Sequence, residues 1–188
     1  GWAFSAKRRA LAARVAVSEG VAEDLRQAVS LRRGQPPRID VILNPAWSPA
    51  RAAQAWQPCP HPWLADRQPW AGLAALSPLD QAARLAAPPV LIAMGRLTVQ
   101  KDFPTLLRAF ARLRDTRPEA RLILLGEGPA RESLIRLCLD LGLTPDVDVA
   151  LPGHVEAPLA WLARADLFVL SSLWEGLPMV LIEALGAG

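Results

Sequence analysis

Lysine, cysteine and long apolar runs are scarce in this sequence. Only Lys7 and Lys101 among its 21 basic residues are lysine, so Lys101 invites a specific explanation in a chain that otherwise uses arginine. Cys59 and Cys138 show neither metal-ligand spacing nor a redox pair, which fits a reducing, cytoplasmic setting without a bound metal. No run reaches the roughly 18 uncharged apolar residues of a membrane span. Because 52% of the 188 residues are hydrophobic, we expect a soluble, globular chain.

The charge balance is too small to indicate a nucleic-acid partner. The 21 basic and 18 acidic residues leave a net charge of +3, and they are dispersed. A modest basic cluster is interpreted as a solvated helix face, with peripheral attachment to the inner face of a membrane as the alternative; it comprises Lys7, Arg8, Arg9 and Arg14. The chain starts at Gly1 without the order of a secretory signal, so we expect it to begin inside a longer protein.

Before residue 46 the pattern is typical of a strand, helix, strand unit of parallel type. We predict a strand over Arg14–Ser18, a helix over Val21–Leu31 and a strand over Ile39–Pro45. The unit is too short to be a domain by itself. Residues 1–45 are therefore interpreted as the tail end of a first domain.

Residues 46–88 combine tryptophan with many prolines, which remove backbone donors and disfavour regular elements. We interpret them as an ordered interdomain linker with a short helix near Leu79–Leu85. Its tryptophans are expected to pin the linker onto neighbouring domains, with an aromatic binding platform as the alternative; they are Trp47, Trp56, Trp63 and Trp70.

From residue 89 onward, apolar strand-like runs alternate with helical patterns that begin near proline. The predicted strands are PVLIAM, RLILL, DVAL and LFVLS, and the predicted helices are Phe103–Arg114, Pro129–Leu141, Pro158–Arg164 and Pro178–Ala187. This alternation predicts the α/β class with a doubly wound, Rossmann-like parallel sheet. All strand-to-helix loops of such a sheet emerge at one edge, where ligands bind; here the loops are GRLTVQK, GEGP, PGH and SSLWEG.

Two cations follow the first of these strands. Arg96 and Lys101 come after Gly95, which lets a ligand approach the backbone closely. Paired cations stabilise the charge of a departing diphosphate, so we predict a diphosphate clamp, with two ordinary surface cations as the alternative. The next two loops offer Glu127 in a glycine-flanked turn and His154 after a glycine. The turn that holds Glu127 resembles a phosphate loop only loosely, with a plain tight turn as the alternative. His154 either lines a pocket beneath a base or sugar or is a solvated loop residue.

Two carboxylates lie in the otherwise apolar end of the sequence. Glu175 precedes the last predicted helix, and Glu183 lies about one turn into it. A buried carboxylate needs donors, which a ribose diol would supply. The alternative is that Glu183 is satisfied by another side chain or reaches solvent at an edge. Gly176 permits close approach, and the uncapped helix amides after it offer a place for an anion or a sugar hydroxyl.

Four blocks occur in order along the chain: GRLTVQKDFPTLLRAFARLR, LILLGEGPARESL, LPGHV and ADLFVLSSLWEGLPMVLIEALGAG. Together they resemble the nucleotide-binding half of retaining glycosyltransferases of family 4, which have the GT-B architecture. The two glutamates, with seven residues between them, resemble that family's EX7E motif. By this resemblance, 89–188 is a truncated C-terminal domain that binds a nucleotide sugar, and 1–45 is the end of the N-terminal, acceptor-side domain.

The resemblance implies transfer of a hexosyl-type group from a UDP-type or GDP-type sugar to a glycan or lipid-linked acceptor. It further implies retention at the anomeric carbon, without a metal or other cofactor. Arg96 and Lys101 would hold the donor diphosphate, and Glu175 would contact the transferred sugar as the third catalytic residue. The implied substrate-binding residues are Gly95, Glu127, His154, Ser172, Gly176, Leu177, Pro178 and Glu183, with Glu183 on the ribose hydroxyls.

Most of the family's first domain and the strand that normally follows its last helix are missing, so we expect this chain alone to be inactive. Two alternatives stay open: a nucleotide-binding segment without turnover, and an epimerase or phosphorylase on the same two-domain scaffold. A nicotinamide-dependent dehydrogenase fits less well, because GEGPAR lacks the third glycine of the dinucleotide fingerprint.

Overall fold

The computed structural model describes residues 15–16, 19–20, 22–24, 26–27, 39–41, 48–70 and 77–188. The chain divides into two compact units, Gly1–Pro45 and Ala46–Gly188. In the first unit, strand β1 (Val15–Ala16) pairs in parallel with strand β2 (Asp40–Val41). Ala22 and Ile39 form a small buried apolar cluster there.

The described part of the first unit follows the predicted order of strand, helix and strand. Helical conformation is present at residues 19–20, 22–24 and 26–27. The remainder of these predicted elements lies outside the described residues, as do the basic cluster and Trp47.

The second unit is built on four parallel strands: β3 (Val90–Met94), β4 (Arg121–Leu125), β5 (Val149–Gly153) and β6 (Leu167–Phe168). Their order in the sheet is β5-β4-β3-β6, and every pairing is parallel. The predicted fold class, α/β with a doubly wound parallel sheet, is confirmed. The chain runs outward from β3 to β5 and then returns to the other side of β3. This reversal creates a topological switch point between β3 and β6, where open α/β sheets bind their ligands.

The second unit also contains the helices α1 (Pro49–Gln54), α2 (Pro78–Ala86), α3 (Phe103–Arg114), α4 (Arg131–Asp140), α5 (Pro158–Leu162) and α6 (Met179–Ala187). A 3-10 turn at Val99–Lys101 lies directly before α3. Helix α3 shows the local signals by which a sequence predicts a helix. It buries Phe103, Leu106, Leu107 and Phe110, the i, i+3, i+4, i+7 spacing of one helix face. Asp102 caps it by accepting a hydrogen bond from the backbone of Thr105 at 3.4 Å.

Each face of the sheet is covered by its own apolar layer, because successive strand residues point to opposite faces. Leu91 and Ala93 face a layer that contains Phe110 and other residues of α3 and α4. Val90 and Ile92 face the opposite layer, which is built from α5, the end of α6 and the segment around Leu64. The strands are therefore buried on both sides, which explains their uninterrupted apolar sequences.

Two predicted strands differ from the observed ones at their carboxyl ends. The strand predicted at DVAL ends later, because Gly153 accepts a hydrogen bond from the backbone of Gly126 at 2.9 Å. The strand predicted at LFVLS stops at Phe168. The amide of Val169 still donates to the carbonyl of Ile92 in β3 at 2.8 Å. Beyond it the chain hydrogen-bonds to the 3-10 turn, with Ser171 Oγ donating to the carbonyl of Lys101 at 2.7 Å.

The prediction for residues 46–88 omitted helix α1. Ser48 and Pro49 carry the local signal for it: Ser48 Oγ accepts from the backbone of Arg51 at 3.2 Å, and proline occupies the first turn. The short helix predicted near Leu79–Leu85 is present as α2. The segment after α1 contributes Ala55, Cys59 and Leu64 to the core of the second unit.

The described tryptophans of this segment differ in their surroundings. Trp70 donates through its indole nitrogen to the carbonyl of Ala165, and Trp63 packs against the core. Trp56 is 58% exposed. Of the described helices, none has both the length and the apolar character to cross a membrane.

Candidate functional site

The loops that follow β3, β4 and β5 line an open cavity of about 330 Å³ at the carboxyl edge of the sheet. We call it the edge cavity. Four predicted site residues line it: Gly95, Arg96, Glu127 and His154. Met94 and Val155 contribute apolar side chains to its wall, and neither was predicted as a site residue. The structure thus brings three remote turns together as predicted.

Backbone contacts hold these turns close to one another. Gly126 has a φ of +130°, and a Cβ at that position would lie 2.0 Å from the carbonyl oxygen of Gly95. Only glycine allows this approach. Glu127 reaches across to the end of β5, where a Cβ on Gly153 would come within 2.3 Å of Glu127 Oε1. The floor of the edge cavity is therefore formed by interlocked turns.

Lys101 and Glu175 form an ion pair at the switch point, next to the edge cavity. Lys101 Nζ lies 2.5 Å from Glu175 Oε1, and the two side chains are only 15% and 18% exposed. Ser172 Oγ donates to the same oxygen at 2.6 Å. The side chain of Lys101 crosses Gly95, since a Cβ there would lie 2.9 Å from Lys101 Cε. Gly95 thus joins the ion pair to the edge cavity, which it also lines.

Further hydrogen bonds tie the two loops of the switch point together. Leu173 donates from its backbone to the carbonyl of Gln100 at 2.8 Å. The side-chain amide of Gln100 donates to the carbonyl of Trp174 at 2.9 Å. The loop before α6 is consequently fixed on the 3-10 turn that carries Lys101, although the two segments lie more than 70 residues apart.

Glu175 is held as a carboxylate. Partial burial alone would raise its pKa, but hydrogen bonds from Lys101 and Ser172, together with the charge of Lys101, outweigh burial and keep the pKa below its ordinary value. An ionised Glu175 accepts hydrogen bonds at neutral pH and has no proton to donate. It therefore suits binding of hydroxyl groups rather than general acid catalysis.

Glu183 does not line the edge cavity. It is 7% exposed on α6, and its Oε1 forms an ion pair with Arg51 of helix α1. The alternative in which another side chain satisfies Glu183 is therefore realised in this structure. Sequence reasoning missed Arg51, because 132 residues separate it from its partner and no local pattern joins them.

The remaining predicted residues lie in the loop before α6. Gly176 and Leu177 precede the helix, and Pro178 occupies the N-cap position rather than the first helical turn. Pro178 has no side-chain group that could cap the α6 amides. The described residues contain no group of three or more histidine, cysteine or acidic side chains arranged for a metal ion.

Comparison with known proteins identifies the family of this chain. The model for "Glycosyl transferases group 1" matches residues 80–188. An uncharacterized glycosyltransferase of Methanocaldococcus jannaschii, MJ1059, is 44% identical over 96 residues, which are 51% of this chain and 23% of that protein. The N-acetylgalactosamine-N,N'-diacetylbacillosaminyl-diphospho-undecaprenol 4-alpha-N-acetylgalactosaminyltransferase of Campylobacter jejuni is 35% identical over 95 residues, 50% of this chain and 25% of that protein. The chain thus spans about a quarter of the length of these relatives.

A solved structure with the same fold is Anabaena Alr3699/HepE in complex with UDP and glucose. It superposes with a TM-score of 0.61 at 20% identity and covers 92% of this chain and 41% of that chain. At this identity the likeness concerns the fold. The family model matches more than half of the chain and includes every strand of the larger sheet. The chain therefore belongs to the group 1 glycosyltransferases.

Proposed function

We propose that the second unit is the donor side of a retaining glycosyltransferase of family 4, which moves a hexosyl group from a UDP-type or GDP-type sugar to a glycan or lipid-linked acceptor. The observation that carries the proposal is the Lys101–Glu175 ion pair beside the edge cavity. It puts a cation and a carboxylate where an open α/β sheet binds its ligand. A nucleotide sugar needs both kinds of group, for its diphosphate and for its hydroxyls.

Lys101 and Arg96 are assigned to the diphosphate. In the transfer, the bond between the anomeric carbon and a diphosphate oxygen breaks, and its electron pair leaves with the diphosphate. The acceptor hydroxyl forms the new bond and releases its proton. Cations fixed beside the leaving oxygens stabilise the charge as it develops. Arg96 lines the edge cavity as an exposed guanidinium, and Lys101 would exchange its contact with Glu175 for a diphosphate oxygen.

The carboxylates are assigned to hydroxyl groups. Glu175, released from Lys101 by the diphosphate, would accept from the transferred sugar, and Glu183 would accept from the ribose. Their separation of eight positions is the EX7E spacing. Ser172, which donates to Glu175, would keep that carboxylate in place. The uncapped amides of α6, with Gly176, Leu177 and Pro178 before them, would face the sugar and the distal phosphate.

The remaining residues of the edge cavity are assigned to the nucleoside. Glu127 and His154 line it from the neighbouring turns after β4 and β5, and Met94 and Val155 supply apolar contact for a planar base. The Anabaena protein, which binds UDP and glucose, supports a uridine donor. The Campylobacter relative acts on a diphospho-undecaprenol, which supports a lipid-linked acceptor. Such an acceptor would bring the protein to the cytoplasmic face of a membrane as a peripheral protein.

Calorimetric titration with UDP and GDP tests the donor site. We expect Lys101→Ala to weaken binding of the preferred nucleotide by about 10-fold to 100-fold, the value of a charged hydrogen bond, and Glu183→Ala to weaken it similarly. Arg136→Ala, which removes an exposed cation on α4, is the control and should leave affinity unchanged. Unchanged affinity in both site variants would remove the assignment.

A transfer assay on the full-length protein tests the reaction. The expected product is a new glycoside with the anomeric configuration of the donor, read by NMR coupling constants, formed without added metal. Conversion of the nucleotide sugar in the absence of acceptor would indicate an epimerase, and phosphate-dependent cleavage a phosphorylase. Nucleotide binding without any turnover would leave the donor site standing and would reject the transferase.

A further inference from the structure

Helix α1 brings a cation to Glu183 from the segment before the larger sheet. Arg51 Nη2 pairs with Glu183 Oε1, and the Glu183 side chain is 9% exposed against 34% for Arg51. Within the described part of the chain, this carboxylate pairs with a residue that neither the EX7E spacing nor the family match includes, since the matched region begins at residue 80.

The position of Arg51 is set by the fold of the second unit. Ser48 caps α1 by accepting from the backbone of Arg51 itself at 3.2 Å, which fixes the first turn of the helix. Helix α1 packs on α5, and α5 packs on α6, which carries Glu183. The arginine is thus presented to the carboxylate by two successive helix contacts rather than by a flexible surface loop.

The geometry of the contact leaves Glu183 able to serve a ligand. The ion pair engages Oε1, so Oε2 and the second lone pair of Oε1 remain for further donors. A nearly buried carboxylate with no cation would be costly to keep ionised, and its side chain would be free to change rotamer. One fixed contact on one oxygen both neutralises the charge and sets the plane of the carboxylate.

We propose that Arg51 is a positioning residue for the donor site: it fixes the Glu183 carboxylate so that the two ribose hydroxyls of a nucleoside diphosphate can donate to it. This inference rests on the proposed function, because it assumes that Glu183 binds the ribose. It assigns a binding role to the segment between the two sheets. Discrimination between ribose and 2′-deoxyribose then depends on a residue that does not touch the nucleotide.

The test compares a ribonucleotide with its 2′-deoxy analogue. Calorimetry measures the affinity of the full chain for UDP and 2′-deoxyUDP, or for GDP and 2′-deoxyGDP if guanine is preferred. We expect wild type to favour the ribonucleotide by about 10-fold to 100-fold, the loss caused by removing one hydrogen bond to a charged group. Arg51→Gln should reduce this preference to below about 3-fold, because it weakens binding of the ribonucleotide, which has two hydroxyl groups for Glu183, more than binding of the deoxynucleotide, which has one. Arg51→Lys, which keeps the charge, should restore part of the preference.

Arg114→Gln is the matched control. Arg114 also pairs with a nearly buried carboxylate, Asp148, and the two side chains are 21% and 10% exposed. Its loss should lower stability comparably without changing the preference for ribose. If Arg51→Gln fails to fold by circular dichroism, Arg51→Met keeps the aliphatic packing and takes its place.

The possible results distinguish a failure of the Arg51 role from a failure of the proposed function on which it rests. If wild type binds neither UDP nor GDP, the proposed function fails and the inference fails with it. If the preference for ribose is lost in Glu183→Gln but kept in Arg51→Gln, the function stands and the role of Arg51 is wrong. Tighter binding of both nucleotides to Arg51→Gln would show that Arg51 competes with the ribose, which also overturns the proposal.

Discussion

At the scale of single residues, the Lys101–Glu175 ion pair couples stability to pH. The pKa of Glu175 is lowered in the folded chain from its ordinary value of 4.5. Its ionised form therefore favours the fold, and this contribution is complete above pH 4.5 and is lost as pH falls through the folded pKa. Removing the cation should remove most of the effect, since Lys101 supplies both a hydrogen bond and a charge to Glu175.

Lys101→Met should accordingly lose less stability than wild type on acidification from pH 6 to pH 3. Urea unfolding at several pH values, followed by tryptophan fluorescence, measures the difference. Arg96→Met is the control, because it removes a cation from the same turn that is not paired with Glu175. The prediction is wrong if both variants follow the pH dependence of wild type.

At Gly126 the turns around the edge cavity leave no space for a side chain. Gly126→Ala would place a Cβ 2.0 Å from the carbonyl oxygen of Gly95, a clash with backbone that cannot turn aside. Gly142→Ala is the matched control: its φ is also positive, at +71°, but nothing lies within 4 Å of its added Cβ. We expect Gly142→Ala to cost about 1–2 kcal/mol for its conformation alone. Gly126→Ala should cost at least about 2 kcal/mol more, and equal losses in urea unfolding would contradict this account.

At the scale of elements, Asp166 joins the segment before β3 to the sheet at its amino edge, opposite the candidate site. Its carboxylate accepts from Arg67 at 2.6 Å, from Arg84 at 2.7 Å and from the backbone of Val90 at 2.7 Å. Arg84 also lies over the ring of Trp70, 4.5 Å from its centroid. One carboxylate thus connects two arginines of the preceding segment with the start of β3.

Asp166→Ala should destabilise the second unit by about 3 kcal/mol or more, because it leaves the buried guanidinium of Arg84 without its counter-charge. Glu132→Ala, which breaks an exposed i, i+4 pair on α4, should cost less than about 0.5 kcal/mol. Hydrogen exchange gives a second measure: the amide of Val90 should lose protection in Asp166→Ala. Comparable losses in the two variants would show that the Asp166 contacts contribute as little as a surface pair.

The elements that sequence reasoning located well are those whose signals are local. Helix α3 matches its predicted bounds, because its cap, its proline and its apolar spacing all lie within Asp102–Arg114. The same reasoning placed Gly95, Arg96, Glu127 and His154 at one edge, since parallel connectivity alone requires it. It overextended β6, whose end is set by hydrogen bonds to a turn about 70 residues away.

The pairing of Glu183 could not be predicted for a similar reason. A local pattern shows that a buried carboxylate needs a partner, but the partner is chosen by the packing of α1 on α5. Arg51 lies in a proline-rich stretch whose composition indicated a linker. The sequence predicts that the Glu183 carboxylate needs a hydrogen-bond donor, whereas the identity of that donor depends on tertiary structure.

At the scale of the whole molecule, residues 46–88 contribute to the core of the second unit. Ala55, Cys59 and Leu64 are buried in the layer that also contains Trp161. The guanidinium of Arg164 donates to the carbonyl of Ala55 at 2.9 Å, a buried contact across 109 residues. A segment that fills a core behaves energetically as part of the domain, whatever its composition.

A comparison of shortened chains follows from these contacts. A chain of residues 46–188 should unfold in one cooperative transition, because it keeps both apolar layers and the Asp166 contacts. A chain of residues 89–188 loses Leu64, Arg67 and Arg84, so one face of the sheet is partly uncovered, and Asp166 and Arg164 lose partners. We expect it to melt at a markedly lower temperature or without a cooperative transition, and to bind a hydrophobic dye. Differential scanning calorimetry distinguishes the two, and equal melting temperatures would show that residues 46–88 are a linker in the energetic sense as well.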